Sequence, residues 1–355
     1  MDTDLLFVGS SHGPEVRLVP DAGFRFVSVP SAPLSRRPTL ADAKSLALLI
    51  ASVFRARKLL DQFHPDVVLG TGGYTSAAVL LAQWTRRGKF VVHEQNAVPG
   101  RTNLFMGRLA NAVCVSFEGT ESCFGGSRCV HTGMPVREEF GSLPTKADAR
   151  GALGLAQDRF TILVVGGSQG AARLNTLMFD AWPEIDDGKT QVLHQVGERN
   201  LEEARENSPD TASGSYLVEG YLDMPRAAAA ADLAVCRAGA STIAELAAAR
   251  TPMILVPYPF AYADHQRANA QRVARIGAGL QFEEDAGPSG SPAASRARAL
   301  ANLVIELRTQ PDERQRMSGL CAHLGSLEAS RSVVDVLRKV VERKNRRCRT
   351  NDIIS

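Results

Sequence analysis

The sequence predicts an α/β chain built from two doubly wound, parallel-sheet domains. Three observations predict it. Apolar runs of strand length alternate with helix-period segments through both halves, the pattern of parallel strands joined by crossover helices. Glycine-rich turns follow strand ends in each half, Gly70-Thr71-Gly72-Gly73 in the first and Gly166-Gly167 with Gly170 in the second. Between the halves, residues 141–158 are largely polar or small and carry Leu143-Pro144. The 355 residues suffice for two domains at ~100–200 residues each. The predicted division is 1–140, 141–330 and a C-terminal helix with a basic tail over 331–355.

Each element has its own signal. Asp4-Leu5-Leu6-Phe7-Val8-Gly9 reads as a buried strand over 5–9, only a few residues into the chain. A short helical pattern leads to a strand over 24–29. Leu46, Leu49, Ile50, Val53 and Phe54 recur at helical spacing within a long helix over 40–63. The strand over 67–70 runs into Gly70-Thr71-Gly72-Gly73-Tyr74, with a helix over 76–86 behind it. Strands over 90–93, 112–115 and 129–132 complete the first half. In the second half, strands over 160–165, 191–194, 215–218, 233–236 and 253–256 alternate with helices over 169–181, 224–231, 241–249 and 266–276. No fixed-period repeat is visible.

Composition excludes several classes. Hydrophobic residues make up 44% and charged residues 22%, as in soluble globular proteins. A net charge of +3 does not suggest a nucleic-acid partner. The cysteines at 114, 123, 129, 236, 321 and 348 form no C-x-x-C pair and no zinc spacing, so they read as reduced cytosolic thiols, with Cys123 and Cys129 close enough in sequence to pair. No apolar stretch reaches the ~18 residues of a membrane span. Met1-Asp2-Thr3-Asp4 has no basic region of a signal peptide.

The stretch VVGGSQGAARLN, 164–175, is strand, glycine turn and helix start in sequence. Glycine lets the backbone approach closely, and free N–H groups with the helix dipole favour an anion, so it reads as a phosphate seat. A nicotinamide enzyme would need an acidic residue at the end of the next strand to hold the ribose, but that strand ends in His194-Gln195. No G-x-x-x-x-G-K-[ST] motif occurs, which excludes a P-loop. The alternative is a sugar nucleotide. Glu245 follows Ala240-Ser241-Thr242-Ile243-Ala244 at the first turn of a predicted helix, where a carboxylate accepts both ribose hydroxyls or simply caps the helix. Ser168 reads either as a donor to phosphate or as a turn serine. Arg137 reads either as a cation for a diphosphate or as a solvated surface residue.

Together, PDVVLGTGGYTS (65–76), HEQNAVPGRTN (93–103), VVGGSQGAARLN (164–175), CRAGASTIAELAA (236–248) and DHQRANA (264–270) resemble the MurG family of N-acetylglucosaminyltransferases. The resemblance runs from Phe7 to about Ala329. It implies a GT-B fold: two Rossmann-like domains with the donor, UDP-N-acetylglucosamine, in the cleft and mostly on the C-terminal domain. By motif match, the backbone at Tyr221 reads uracil and Glu245 holds the ribose. Ser168 and the loop Ala240, Ser241, Thr242, Ile243, Ala244 meet the diphosphate, with Arg137 nearby. Asn96 and Gln266 contact the sugar, with His265 beside them. Gly70, Gly72, Gly73 and Tyr74 face the acceptor diphosphate.

The resemblance implies an inverting transfer to a lipid-linked muramyl-pentapeptide on the cytoplasmic face of the membrane, in peptidoglycan synthesis. No metal-ligand cluster is visible in the sequence, and no cofactor is expected, so backbone N–H groups, a helix dipole and Arg137 would meet the leaving-group charge. Two departures stand out. Family members begin with a further strand and a G-G-T-G-G-H loop carrying the histidine proposed as base, whereas this N-terminal domain starts one βα unit later. Met134 stands where the family has asparagine. Of the seven histidines, His93 is then the best-placed base, or else a structural residue that fixes the loop carrying Asn96. For membrane docking the expected groups are Phe54, Arg55, Arg57 and Lys58, with Arg36 and Arg37 upstream, the rest of the apolar face of 40–63 serving as core. The basic run 338–349 reads as a solvated helix end. Two other classes compete: an inactive UDP-sugar-binding remnant, marked by binding without transfer, and a UDP-sugar epimerase, marked by donor turnover without acceptor.

Overall fold

Every sheet is parallel, as the strand–helix alternation predicts. The computed structural model describes residues 3–30, 40–125, 128–167, 170–209, 214–284 and 293–349, with the backbone alone over 40–46, 293 and 344–349. The chain divides into two compact units, residues 1–95, 99–132 and 331–355 in the first and 96–98 with 133–330 in the second. The division falls at Thr132/Gly133 rather than at 140/141, because Arg137 and Phe140 are held by residues of the second unit's side of the chain. Residues from Arg331 on group with the first unit.

In the first unit, Leu6–Gly9 (β1), Glu15–Asp21 (α1) and Arg25–Ser28 (β2) form a two-stranded parallel βαβ unit. The expected buried strand at 5–9 is buried on one face only. Val8 joins Val29, Ala56, Leu60 and Val79, while Leu5 and Phe7 are 47% and 42% exposed. Among the described residues, β1 has only β2 as a strand neighbour. Helix α2, Leu40–Phe63, has the predicted bounds. Its apolar positions split: Val53, Ala56 and Leu60 pack inward, while Ile50 and Phe54 are 51% and 70% exposed.

Val68–Gly70 (β3), Gly73–Thr85 (α3), Phe90–Glu94 (β4), Arg101–Gly107 (α4), Ala112–Val115 (β5) and Cys129–His131 (β6) follow, with sheet order β3-β4-β5-β6. Both faces of this sheet are covered, which is why β5 and the opening Phe90-Val91-Val92 of β4 read as apolar runs. Leu80, Phe90, Val92, Met106, Val113 and Val115 form one layer. Cys123 and Cys129 are both free thiols.

The second unit opens with Lys146–Ala152 (α5), where Thr145 caps the helix by accepting from the Asp148 N–H at 3.2 Å. Then come Phe160–Val165 (β7), Ala172–Ile185 (α6), Thr190–Gln195 (β8), Leu201–Asn207 (α7), Tyr216–Glu219 (β9), Met224–Ala230 (α8), Leu233–Cys236 (β10), Ala240–Ala248 (α9), Met253–Leu255 (β11), His265–Ile276 (α10), Gly279–Gln281 (β12), Ala293–Thr309 (α11) and Pro311–Leu320 (α12). The last helix, Ala329–Arg349 (α13), carries the chain back: Val333, Val336 and Val340 cover Val91, Ala112 and Cys114 on the free face of the first unit's sheet. The basic run 338–349 is therefore in a helix with a buried apolar stripe.

The six-stranded sheet has the order β12-β11-β10-β7-β8-β9. The chain builds outward from β7 to β9, then returns to β10 on the other side of β7. That reversal makes the carboxyl ends of β7 and β10 a topological switch point, where neighbouring loops diverge and leave room for a ligand.

Candidate functional site

Two glycine-entered helices start at that switch point. After β7, Gly167 and Gly170 have φ of +90° and +72°, which L side chains rarely adopt. A Cβ at Gly170 would lie 2.1 Å from the Val196 carbonyl oxygen, and one at Gly166 would lie 2.7 Å from the Ala171 nitrogen. Only glycine lets the turn fold back so tightly. Ser168 lies outside the described residues. Helix α6 then begins without a side-chain cap, so its first N–H groups carry the positive end of the dipole unmasked.

After β10, Gly239 leads into α9, which also lacks a side-chain cap. The stretch from Ala240 to Ala244, expected to meet the diphosphate as a loop, is the opening of α9, which begins at Ala240 beside the predicted start at 241. Ile243 donates its N–H to the Gly239 carbonyl, and Ile243 and Ala244 are buried at 1% and 2% exposure. The N–H groups left for an anion are therefore those of the first turn, at Ala240, Ser241 and Thr242. Glu245 falls in the second turn of α9, not the first. It caps nothing.

Glu245 instead accepts a hydrogen bond from Arg137 Nε at 3.1 Å, and Arg137 Nη2 lies 3.1 Å from the same oxygen. Two residues far apart in sequence, each readable as a bystander, thus form one ion pair. Burial raises the Glu245 carboxyl above the ordinary glutamic acid value, with Arg137 opposing. Arg137 also lies over the Phe140 ring, 5.7 Å from its centroid.

Tyr221, 61% exposed, follows β9. Gln266 is the second residue of α10, and its Oε1 accepts the Tyr258 N–H at 2.9 Å. His265, beside it, has Nδ1 at 2.7 Å from the Tyr262 carbonyl oxygen. Asn96 groups with the second unit. Its Oδ1 accepts from Asn269 Nδ2 at 3.1 Å.

Asn269 went unread in the sequence although it stands inside DHQRANA. It is fully buried, donates to the Ala238 carbonyl at 3.0 Å and accepts the Ala97 N–H at 2.8 Å. A buried asparagine on an otherwise core-facing helix side was its signal. Arg237 was also unread. It is 5% exposed, donates to the Val256 and Pro257 carbonyls at 3.1 and 3.2 Å and pairs with Glu284 at 2.6 Å. An arginine directly after an all-apolar strand was the hint.

Beneath α6, His194 is buried between Tyr216 Oη, 2.8 Å from Nδ1, and Asn175 Oδ1, 3.1 Å from Nε2. Burial pushes its imidazole down to about 3, so it stays neutral.

In the first unit, the predicted acceptor-side glycines form a helix entry. Gly72 and Gly73 have φ of +97° and +83°, and α3 starts at Gly73, three residues before the expected 76, because these glycines carry the sharp entry themselves. A Cβ at Gly70 would lie 2.5 Å from Leu80 Cδ1. Tyr74, in the first turn, is 42% exposed. His93 is 3% exposed within β4, a burial that fits the structural reading better than that of an open base. Glu94, also unread, accepts the Gly100 N–H at 3.0 Å and Asn103 Nδ2 at 2.8 Å. Arg55, Arg57 and Lys58 are exposed on α2. Arg36, Arg37 and the Leu46 side chain lie outside the described residues. Among the described residues no helix is long and apolar enough to cross a membrane, and no group of three or more His, Cys, Asp or Glu could hold a metal ion.

Residues 2–115 match the glycosyltransferase family 28 N-terminal domain, and residues 161–291 match the family's C-terminal domain. A Geobacter sulfurreducens protein named UDP-N-acetylglucosamine--N-acetylmuramyl-(pentapeptide) pyrophosphoryl-undecaprenol N-acetylglucosamine transferase is 35% identical over 337 residues, 94% of this chain and 89% of its own length. Proteins of the same name from Geotalea daltonii and Limosilactobacillus reuteri are 36% and 32% identical, over 94% and 96% of this chain and 88% and 91% of their own lengths. The crystal structure of Acinetobacter baumannii MurG superposes with a TM-score of 0.72 at 28% identity, covering 94% of this chain and 90% of that one. A UDP-GlcNAc 2-epimerase from Neisseria meningitidis, solved bound to UDP-GlcNAc, has a TM-score of 0.63 at 12% identity, over 94% of this chain and 91% of its own; it shares the fold alone.

Proposed function

The chain belongs to glycosyltransferase family 28 and, within it, to the MurG transferases, and from that membership we propose how its residues do the work. It transfers N-acetylglucosamine, with inversion, from UDP-N-acetylglucosamine to a lipid-linked muramyl-pentapeptide. One observation carries the donor site: two uncapped, glycine-entered helix N-termini at the switch point, with the Arg137–Glu245 pair one turn further along α9.

The chemistry follows from charge. An acceptor hydroxyl attacks C1 of the sugar and releases its proton to water, the C1–O bond to the diphosphate breaks, and UDP leaves carrying the electron pair. The first-turn N–H groups of α6 and α9 point at that developing charge and need no reorganisation to meet it. Glu245, whose ionised form Arg137 favours against the effect of burial, accepts the ribose hydroxyls, and the backbone at Tyr221 reads uracil. Gln266, with its oxygen engaged by Tyr258, offers its amide N–H groups to sugar hydroxyls. Asn269 positions Asn96 toward the same sugar. Gly70, Gly72, Gly73 and Tyr74 serve the acceptor diphosphate. Burial of His93 supports a role in fixing the loop that carries Asn96. The exposed Phe54, with Arg55, Arg57 and Lys58, supports peripheral docking on the cytoplasmic face of the membrane.

The test is transfer by the full chain from radiolabelled UDP-N-acetylglucosamine to the lipid-linked acceptor in detergent micelles. A labelled disaccharide lipid with equimolar UDP is expected. UDP binding without labelled lipid would favour the inactive remnant. An epimeric sugar nucleotide formed without acceptor would favour the epimerase.

A further inference from the structure

The end of β8 is where a dinucleotide-binding protein would carry its ribose-binding acid, and this chain has His194-Gln195 there. The structure shows what the replacement does. Gln195 stands in register with Val165 of β7 on one side and Glu219 of β9 on the other. The glycine turn leaves β7 just after Val165, and the segment with Tyr221 leaves β9 just after Glu219. The middle strand thus ends between the phosphate turn and the base-reading segment.

The Gln195 side chain is 3% exposed and bonds to both neighbours. Its Nε2 donates to the Gly167 carbonyl at 3.3 Å, and its Oε1 accepts the Leu222 N–H at 3.0 Å. The partners dictate the amide orientation, since a carbonyl takes only a donor and an N–H only an acceptor. The strand end that presents Gln195 is pinned in turn. The Val196 carbonyl accepts from Asn175 Nδ2 at 3.2 Å and Asn200 Nδ2 at 2.8 Å, and the Val196 N–H donates to Glu219 at 2.9 Å. Both of these side-chain contacts go to the two loops.

We propose that Gln195 is a positioning residue for nucleoside diphosphate recognition, tying the diphosphate turn at Gly167 to the base-reading backbone at Tyr221–Leu222. Its span sets the distance between the groups that hold the phosphates and those that read the base. The proposal rests on the donor-site reading above. A carboxylate could not serve here: it would accept from Leu222 but face the Gly167 carbonyl with a second acceptor.

That asymmetry supplies the test, made on the full chain by titration calorimetry with UDP, CDP and uridine. Gln195→Glu keeps the Leu222 contact and breaks the Gly167 contact. The Gly170 N–H still donates to the Gly167 carbonyl at 3.0 Å, so UDP affinity is expected to fall about tenfold, the loss of one buried hydrogen bond, while uridine affinity stays within about twofold. Gln195→Met, close in length and uncharged, breaks both contacts. It is expected to weaken UDP and to relax the preference for UDP over CDP, which loss of folded protein alone would not change. An unchanged UDP-to-uridine ratio in Gln195→Glu, or unchanged UDP-over-CDP preference in folded Gln195→Met, overturns the proposal. A wild-type preference for another base would sink the uridine reading and leave the diphosphate-to-nucleoside ratio for that base as the test. Absence of any nucleoside diphosphate binding would sink both.

Discussion

Glu245 and Arg137 show how little a residue's spacing says about its job. From sequence, Glu245 reads equally as a helix cap, and Arg137 reads first as a solvated cation. Their 3.1 Å contact brings the two side chains together, with Arg137 still open to solvent. It also makes a pH prediction. Burial raises the Glu245 carboxyl above its ordinary value, and only the ionised form accepts both ribose hydroxyls. UDP affinity should therefore decline on acidification while the pH is still above the usual carboxylate range. Arg137 opposes the shift, so Arg137→Ala should move that decline to higher pH. Glu245→Gln should bind UDP about tenfold more weakly at neutral pH, since a hydrogen bond to a charged group is the stronger one, and should show no such decline. Titrations of UDP between pH 5 and 8 on the three proteins check all of this.

At the scale of elements, the glycine turns differ in what holds them. Gly167 and Gly170 both have positive φ, but only Gly170 has a backbone oxygen where a Cβ would go; nothing lies within 4 Å of the Cβ position at Gly167. Gly167→Ala should cost ~1–2 kcal/mol of strain, whereas Gly170→Ala must also displace the Val196 carbonyl and should lower the melting temperature distinctly further. Helix α13 makes a second prediction. Its Val336 is 6% exposed against the first unit's sheet. Val336→Asp places an unpaired charge there, at a cost of several kcal/mol. Hydrogen exchange should then accelerate in β4 and β5 and leave β7 and β8 protected. Equal loss in both sheets would contradict the assignment of α13 to the first unit. Sequence signals located α2 to its bounds and missed α4, α5, α7, α11, α12 and β12. The reason is physical: β12 is three residues long, too short for any period to show, and the helical stripe of α11 is diluted by alanine.

At the scale of the whole molecule, the described residues proposed to bind the donor all lie in the second unit, Asn96 included. UDP at about 100 times its Kd should stabilise that unit by ~2.7 kcal/mol. The expected protection falls at 165–167, 170–175, 220–223 and 237–246. Protection of β4 and β5 to the same degree would show instead that the two units open as one. The fold class was legible from alternation alone, because parallel strands buried on both faces must be apolar throughout and their crossovers must be helical. So was the glycine turn between β7 and α6, because only glycine permits it, a property of the residue itself. What the residues could not announce was partnership. Arg137 with Glu245, Asn269 with Asn96, and Gln195 between two loops are contacts across tens to more than a hundred positions of chain. No local period encodes such contacts, and only the sheet order, which brings β10 beside β7 and sets β8 between β7 and β9, brings them into reach.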